Sequence, residues 1–166
     1  MNKLTEAFRS FYLAGRGIAF CLRHESHFRI HLIATVYVMF FSLFYRFDRT
    51  DYAILILTCA AVISMEIVNT SVEVVIDKVS PQYNVYAMIG KDIAAGAVLF
   101  TTIGAIAVGI FMFWDIETIA KIIGFFTSDP VRLALLLVSF ALSVWFIMKA
   151  KPRKLGNKRK GNINND

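Results

Sequence analysis

Polar and apolar positions first alternate at helical spacing. Through residues 4–24, Arg9, Arg16 and Arg23 recur every seven residues on one face, while Leu4, Phe8, Phe11, Ile18 and Leu22 cluster on roughly the opposite one. Basic groups on one side and bulky apolar groups on the other describe a helix lying in a membrane interface. Four apolar runs follow, at residues 28–47, 52–79, 93–114 and 131–148, the last opening just after a Pro130 suited to a helix start. Each is long enough to cross a hydrocarbon core of roughly 30 Å, which takes about 20 helical residues. Residues 115–129 read as a short, mildly amphipathic connector, and residues 151–166 as a polar tail expected to lack fixed structure.

Composition sharpens this picture. The chain has 166 residues, 57% of them hydrophobic, and a mean hydropathy of +0.60. Soluble domains of this size carry more charge and fewer apolar residues. The predicted class is therefore an all-α integral membrane protein, with an N-terminal surface helix, three core transmembrane helices and a fourth C-terminal one. Residues 1–114 form the expected core, 115–150 the connector and extra span, and 151–166 a basic cytoplasmic tail. Polar groups in the first nine residues leave no apolar stretch typical of a secretory signal. Cys21 and Cys59 lie in apolar helical surroundings and read as packing residues.

The net charge of +6 is concentrated in the tail, at Lys149, Lys151, Arg153, Lys154, Lys158, Arg159 and Lys160. Directly after an apolar run, such a cluster suits an anionic leaflet and topology control. Without interleaved aromatics it does not suit nucleic acid, and none is expected as a partner. Placing both termini in the cytoplasm puts most basic residues and the loop around residues 78–91 inside, with the protein a multi-pass one of the cell inner or plasma membrane. On the third span, Ala97, Thr101, Ala105 and Gly109 make a small-residue stripe that lets helices approach closely.

The chemistry lies between residues 65 and 78. Glu66, Asn69, Glu73 and Asp77 differ by 3, 4 and 4 positions and fall within about 80° on one helical face. Holding ionised acids near a bilayer costs a few kcal/mol each on insertion scales. The run 52–79 measures about 42 Å at 1.5 Å per residue, so its end emerges and Asp77 can simply face water. Glu66, flanked by thirteen mostly apolar residues, is the acid for which a function is expected. Lys91 and Asp92 stand at the expected start of the third span, where helix N–H groups favour phosphate. Glu25 stands where the first span begins and can reach the same site as Glu73. His24, His27 and His31 share helical spacing but have no cysteine beside them, so interfacial anchoring is the preferred reading over a metal site.

Hard oxygen ligands, a lysine and a helix N-terminus suit Mg²⁺, which binds through one or two carboxylates plus substrate phosphates. No P-loop, Gly-rich kinase loop or His-Arg-Asp motif is present, so soluble kinase architectures are excluded. The blocks Arg16-Gly17-Ile18, Glu25-Ser26-His27-Phe28-Arg29-Ile30-His31-Leu32, Glu66-Ile67-Val68-Asn69-Thr70-Ser71-Val72-Glu73 and Lys91-Asp92-Ile93-Ala94-Ala95-Gly96 do, however, resemble the prokaryotic diacylglycerol kinase and undecaprenol kinase family, over about residues 8–110. The resemblance implies an ATP- and Mg²⁺-dependent kinase acting on a membrane lipid alcohol, and a homotrimer with shared active sites. It implies Glu66 as the general base and Glu25 and Glu73 as Mg²⁺ ligands. Asn69, Lys91, Asp92, Arg16 and again Glu73 would bind the nucleotide. Phe28-Arg29-Ile30-His31-Leu32 leans toward undecaprenol over diacylglycerol.

His27 and Gly90 depart from the family's usual Asn and Ala, and residues 115–166 are absent from its short members. Gly90 would loosen the helix start. The intramembrane acids alone also fit an ion-coupled transporter or a non-enzymatic scaffold; size and the lack of paired broken helices weigh against transport.

Overall fold

In the computed structural model, which describes residues 3–151, six helices follow one another: α1 (Lys3–His24), α2 (Ser26–Ser42), α3 (Arg49–Val79), α4 (Val85–Phe113), α5 (Ile116–Thr127) and α6 (Pro130–Met148). The tail expected from residue 152 onward lies outside the described residues. Among the described residues there is no strand.

What is buried reverses the order of a soluble core. Besides Cys21, Phe28, Leu55, Val62 and Phe126, the buried set is Arg29, Ser42, Glu66, Asn69 and Thr70. Neither α4 nor α6 buries any residue. Large side chains such as Phe100, Phe111, Leu135 and Phe140 instead point outward. Where the surroundings are hydrocarbon, apolar groups gain nothing by turning inward, and polar ones must.

Three helices are by themselves long and apolar enough to cross a membrane: α3, α4 and α6. The first expected span, residues 28–47, is observed as the 17-residue α2, which stops at Ser42. That is about 26 Å of helix, at the short limit for a crossing. The chain tightens there through Leu43 N–H to Phe40 O, Phe44 N–H to Phe41 O and Tyr45 N–H to Ser42 O. Asp48 then starts α3 with a capping box closed by Asp51.

The third span also begins elsewhere than expected. Asn84 accepts from the Tyr86 and Ala87 N–H groups and starts α4 at Val85, eight residues before position 93. The connector 115–129 contains a 12-residue helix, α5, capped by Asp115. Pro130 opens α6, as its fixed φ favours.

α3 and α4 pack antiparallel along most of their length. Antiparallel α2 joins them around a cavity of about 260 Å³ that takes His31 and Thr35 from α2, Cys59 and Val62 from α3, and Thr102 and Gly109 from α4. α6 lies against α2, where the Tyr37 hydroxyl bonds Ser139 Oγ at 3.0 Å and Ser143 Oγ at 3.2 Å. At one end, an aromatic cluster of Phe44, Tyr45, Phe47, Phe113 and Phe125 ties the α2–α3 connection, α4 and α5 together. The site described next is at the other end.

Candidate functional site on α3

Glu66 is only 3% exposed, Thr70 3% and Asn69 9%. They are buried because α3 turns this face toward its neighbours. The register that sets His31 beside Val62 carries the start of α2 toward Glu66 and Asn69. One turn on, Asn69 Nδ2 donates to Glu73 Oε1 at 3.0 Å, so the amide orients that carboxylate. Asn69 Oδ1 and Thr70 Oγ1 are buried without a hydrogen-bond partner among the described residues. Unpaired buried oxygens are costly, by about 1–3 kcal/mol each, and are retained where a ligand or ion completes them.

Asp77, two turns beyond Asn69, forms an ion pair with Lys91 of α4, each side chain about one-third exposed. Lys91 is thus brought to the stripe, as expected, but by a different route. Because α4 starts at Val85, Lys91 and Asp92 lie in its second turn, where backbone N–H groups are already bonded within the helix. The expectation that they mark a phosphate-binding helix N-terminus is corrected accordingly. Asp92, the next position round the helix, is exposed. Gly90 is likewise not at a helix start; it sits on the α3–α4 contact, where a Cβ would come 3.2 Å from Ile76 Cδ1.

Glu25 occupies the break between α1 and α2, with φ −107° and ψ 115°, and does not cap α2 with its side chain. Arg16 is exposed, its guanidinium 6.0 Å from the Tyr12 ring, and lies nine residues up α1 from Glu25. That is about 14 Å along the helix, so α1 holds it well away from Glu25.

For a divalent cation the donors fit in kind: carboxylates at Glu25 and Glu73 and the unpaired Asn69 oxygen are the hard ligands Mg²⁺ takes. Among the described residues no three His, Cys, Asp or Glu converge into a closed metal cage. Two site-flanking residues went unread in the sequence, Thr70 and Arg29. Thr70 gave a signal, a hydroxyl four residues from Glu66 and hence on the same face. Arg29 gave none, since its partners lie on other helices.

Comparison with known proteins places the chain in a family. Residues 12–113 match the family model described as prokaryotic diacylglycerol kinase. Over 112 residues the chain is 30% identical to the undecaprenol kinase of Bacillus subtilis (strain 168), covering 68% of this chain and 91% of that protein. Over 101 residues it is 37% identical to a diacylglycerol kinase of Synechocystis sp., covering 60% of this chain and 58% of that longer protein. No solved structure matches significantly. The match takes in α2, α3, α4 and the site they build, and leaves out α5 and α6. On that basis the chain belongs to the prokaryotic diacylglycerol kinase family and is a membrane-embedded lipid kinase.

Proposed function

We propose that the protein transfers the γ-phosphoryl group of ATP to the hydroxyl of a membrane lipid alcohol at the cytoplasmic face, undecaprenol in preference to diacylglycerol. One observation carries the reading: a carboxylate, Glu66, 3% exposed in a lipid-facing bundle, one turn from the Asn69–Glu73 pair. A buried acid beside polar groups that lack partners is what a proton acceptor waiting for substrate looks like.

In the proposed step Glu66 takes the proton of the lipid hydroxyl as its oxygen attacks the γ-phosphorus. The bond from that phosphorus to the β,γ-bridging oxygen breaks, and ADP leaves with the electron pair. Mg²⁺ held by Glu25 and Glu73 would neutralise charge on the phosphate oxygens. Asn69 orients Glu73, and Lys91, steered by Asp77, offers the positive charge nearest the stripe. Asp92 and Arg16, both exposed, belong to this nucleotide set only with a change in position or a second copy of the chain.

A homotrimer with shared sites would supply that second copy. The near-complete coverage of the Bacillus undecaprenol kinase supports the substrate preference. The test is transfer of labelled γ-phosphate from ATP to a panel of lipid alcohols in mixed micelles. Undecaprenol is expected to be phosphorylated fastest. Glu66→Gln is expected to lower kcat by about 10²–10⁴-fold, the usual worth of a general base. Unchanged transfer in that variant would remove Glu66 from the role, and no transfer to any lipid alcohol would remove the reading itself.

A further inference from the structure

One buried charge has no part in the chemistry above. Arg29, in the first turn of α2, is 7% exposed. The break at Glu25 ends α1 and leaves the carbonyls of its last turn to find other donors. Glu25 N–H takes Cys21 O at 2.9 Å. The Arg29 guanidinium takes the next two, Nε donating to Leu22 O at 2.6 Å and Nη2 to Arg23 O at 3.3 Å.

Its third arm leaves this hairpin altogether. Arg29 Nη1 donates to Phe146 O in the last turn of α6, with the guanidinium carbon 4.6 Å from the Phe146 ring centroid. Beside it Lys151 N–H donates to Arg23 O at 3.0 Å, and His24 Nδ1 lies 3.1 Å from Lys151 O. Two helix C-termini, each carrying partial negative charge, thus converge on one planar cation. Glu25 lies between the carbonyls Arg29 holds and Arg29 itself, so this clasp fixes where the Glu25 backbone sits. The α6 half of the clasp lies beyond the part of the chain that matches the family, residues 12–113.

We infer that Arg29 is a positioning residue that couples α6 to the metal-nucleotide step: it locks the end of α6 onto the α1–α2 break and thereby holds Glu25 in place. The inference rests on Glu25 being a metal ligand. α6 is then a working part of the site rather than only an additional anchor.

The test uses the full chain and two readouts: Mn²⁺ binding, as a stand-in for Mg²⁺, measured by electron paramagnetic resonance with a non-hydrolysable ATP analogue; and amide exchange of the peptide 146–151. Arg29→Lys keeps the charge but cannot serve three divergent carbonyls. It is expected to weaken Mn²⁺ binding about 10-fold, the lower range for residues that orient a metal ligand, to speed exchange at Lys151, and to leave the KM for lipid unchanged. Lys151→Pro removes the N–H that meets Arg23 O, together with the lysine charge, and leaves the three Arg29 hydrogen bonds in place. It is expected to shift Mn²⁺ binding in the same direction by about 3-fold, and the double variant to fall short of the product of the two.

Weakened lipid KM with unchanged Mn²⁺ binding in Arg29→Lys would overturn the inference, as a purely architectural role. If Arg29→Lys fails to assemble, Lys151→Pro decides alone, and unchanged Mn²⁺ binding there overturns it. Glu25→Gln separates the two layers. Normal Mn²⁺ binding in that variant would overturn the ligand assignment on which the inference stands; weak binding there with normal binding in both clasp variants would overturn the clasp alone.

Discussion

At Thr70 the energetics of burial and of function pull in opposite directions. The residue is 3% exposed and its hydroxyl, buried, makes no hydrogen bond among the described residues. A residue serving only packing would be better as valine, which has the same shape and nothing to leave unpaired. Thr70→Val is therefore expected to raise the thermal denaturation midpoint in detergent, by an amount equivalent to about 1 kcal/mol. A drop in transfer rate in the same variant would show the hydroxyl working beside Glu66. Lys91 and Asp77 make a second residue-scale case. The pair is about one-third exposed, which screens it and keeps its worth to stability small. Lys91→Met is expected to change the denaturation midpoint little and to raise the KM for ATP, read from initial rates at fixed lipid. Glu66, Asn69, Glu73 and Asp77 are legible in the sequence because 3,4-spacing on a helix is a geometric certainty once the helix is granted, whereas Lys91 is picked out by its place beside an expected helix start. What the spacing could not supply was the Asn69-to-Glu73 bond or the Asp77 partner of Lys91, which depend on rotamers and on a second helix.

Among the helices, legibility tracked the kind of signal. α3 and α6 were read to within three residues at every boundary, because apolar length and Pro130 both mark them. The expected first span runs five residues past the end of α2 and starts two after its beginning, since hydropathy continues through Leu43, Phe44, Tyr45 and Phe47 while the backbone has already turned. α4 was read eight residues short. Lys91-Asp92 resembled a boundary, yet the cap was Asn84, and the intervening Val85–Gly90 turn is exposed enough to look like loop. The misplaced start set Lys91 and Asp92 at a helix N-terminus, and the observed start at Val85 takes them off it. The corrected register gives Gly90 a packing role that can be tested. A methyl there meets only the far end of the Ile76 side chain at 3.2 Å, which can yield, and alanine adds helix propensity of about 0.8–1 kcal/mol. Gly90→Ala is expected to stabilise slightly and Gly90→Leu to destabilise, judged by thermal midpoint. α5 offers a pH test. The Thr118 hydroxyl, donating at 2.6 Å, holds the exposed Asp115 carboxyl below the usual carboxylate range. Because the folded pKa is depressed, the cap's contribution is present above the unfolded value, roughly 4, and is lost as pH falls through the lowered one. Protection of the Glu117 amide, its exchange taken relative to the intrinsic rate at each pH, is expected to fall over that window and to show no such window in Asp115→Asn.

For the whole molecule, the clasp and the loops together fix a parity that can be checked from outside. The end of α6 touches the α1–α2 break directly, through Phe146 and Lys151. The end of α3 and the start of α4 meet through Asp77 and Lys91. The α2–α3 register sets both junctions at the same end of the bundle as Glu66, whereas Tyr45 and Phe113 close the opposite end. If the Glu66 end faces the cytoplasm, the segment 80–84 and Lys149 must be reachable only from that side, and Arg46 and Lys121 only from the other. This requires the 17-residue α2 to cross despite its length, by local thinning of the bilayer or by its flanking residues reaching the interfaces. Single cysteines at Gln82, Arg46 and Lys121, in a chain with Cys21 and Cys59 replaced by serine and alanine, are expected to react with a membrane-impermeant maleimide in opposite-sidedness vesicles: Gln82→Cys only when the cytoplasmic face is outside, the other two only when it is inside. Labelling of Arg46→Cys and Gln82→Cys from one face would mean that α2 and α3 do not form a crossing pair, and the kinase site would then have no access to both nucleotide and lipid in the orientation argued above.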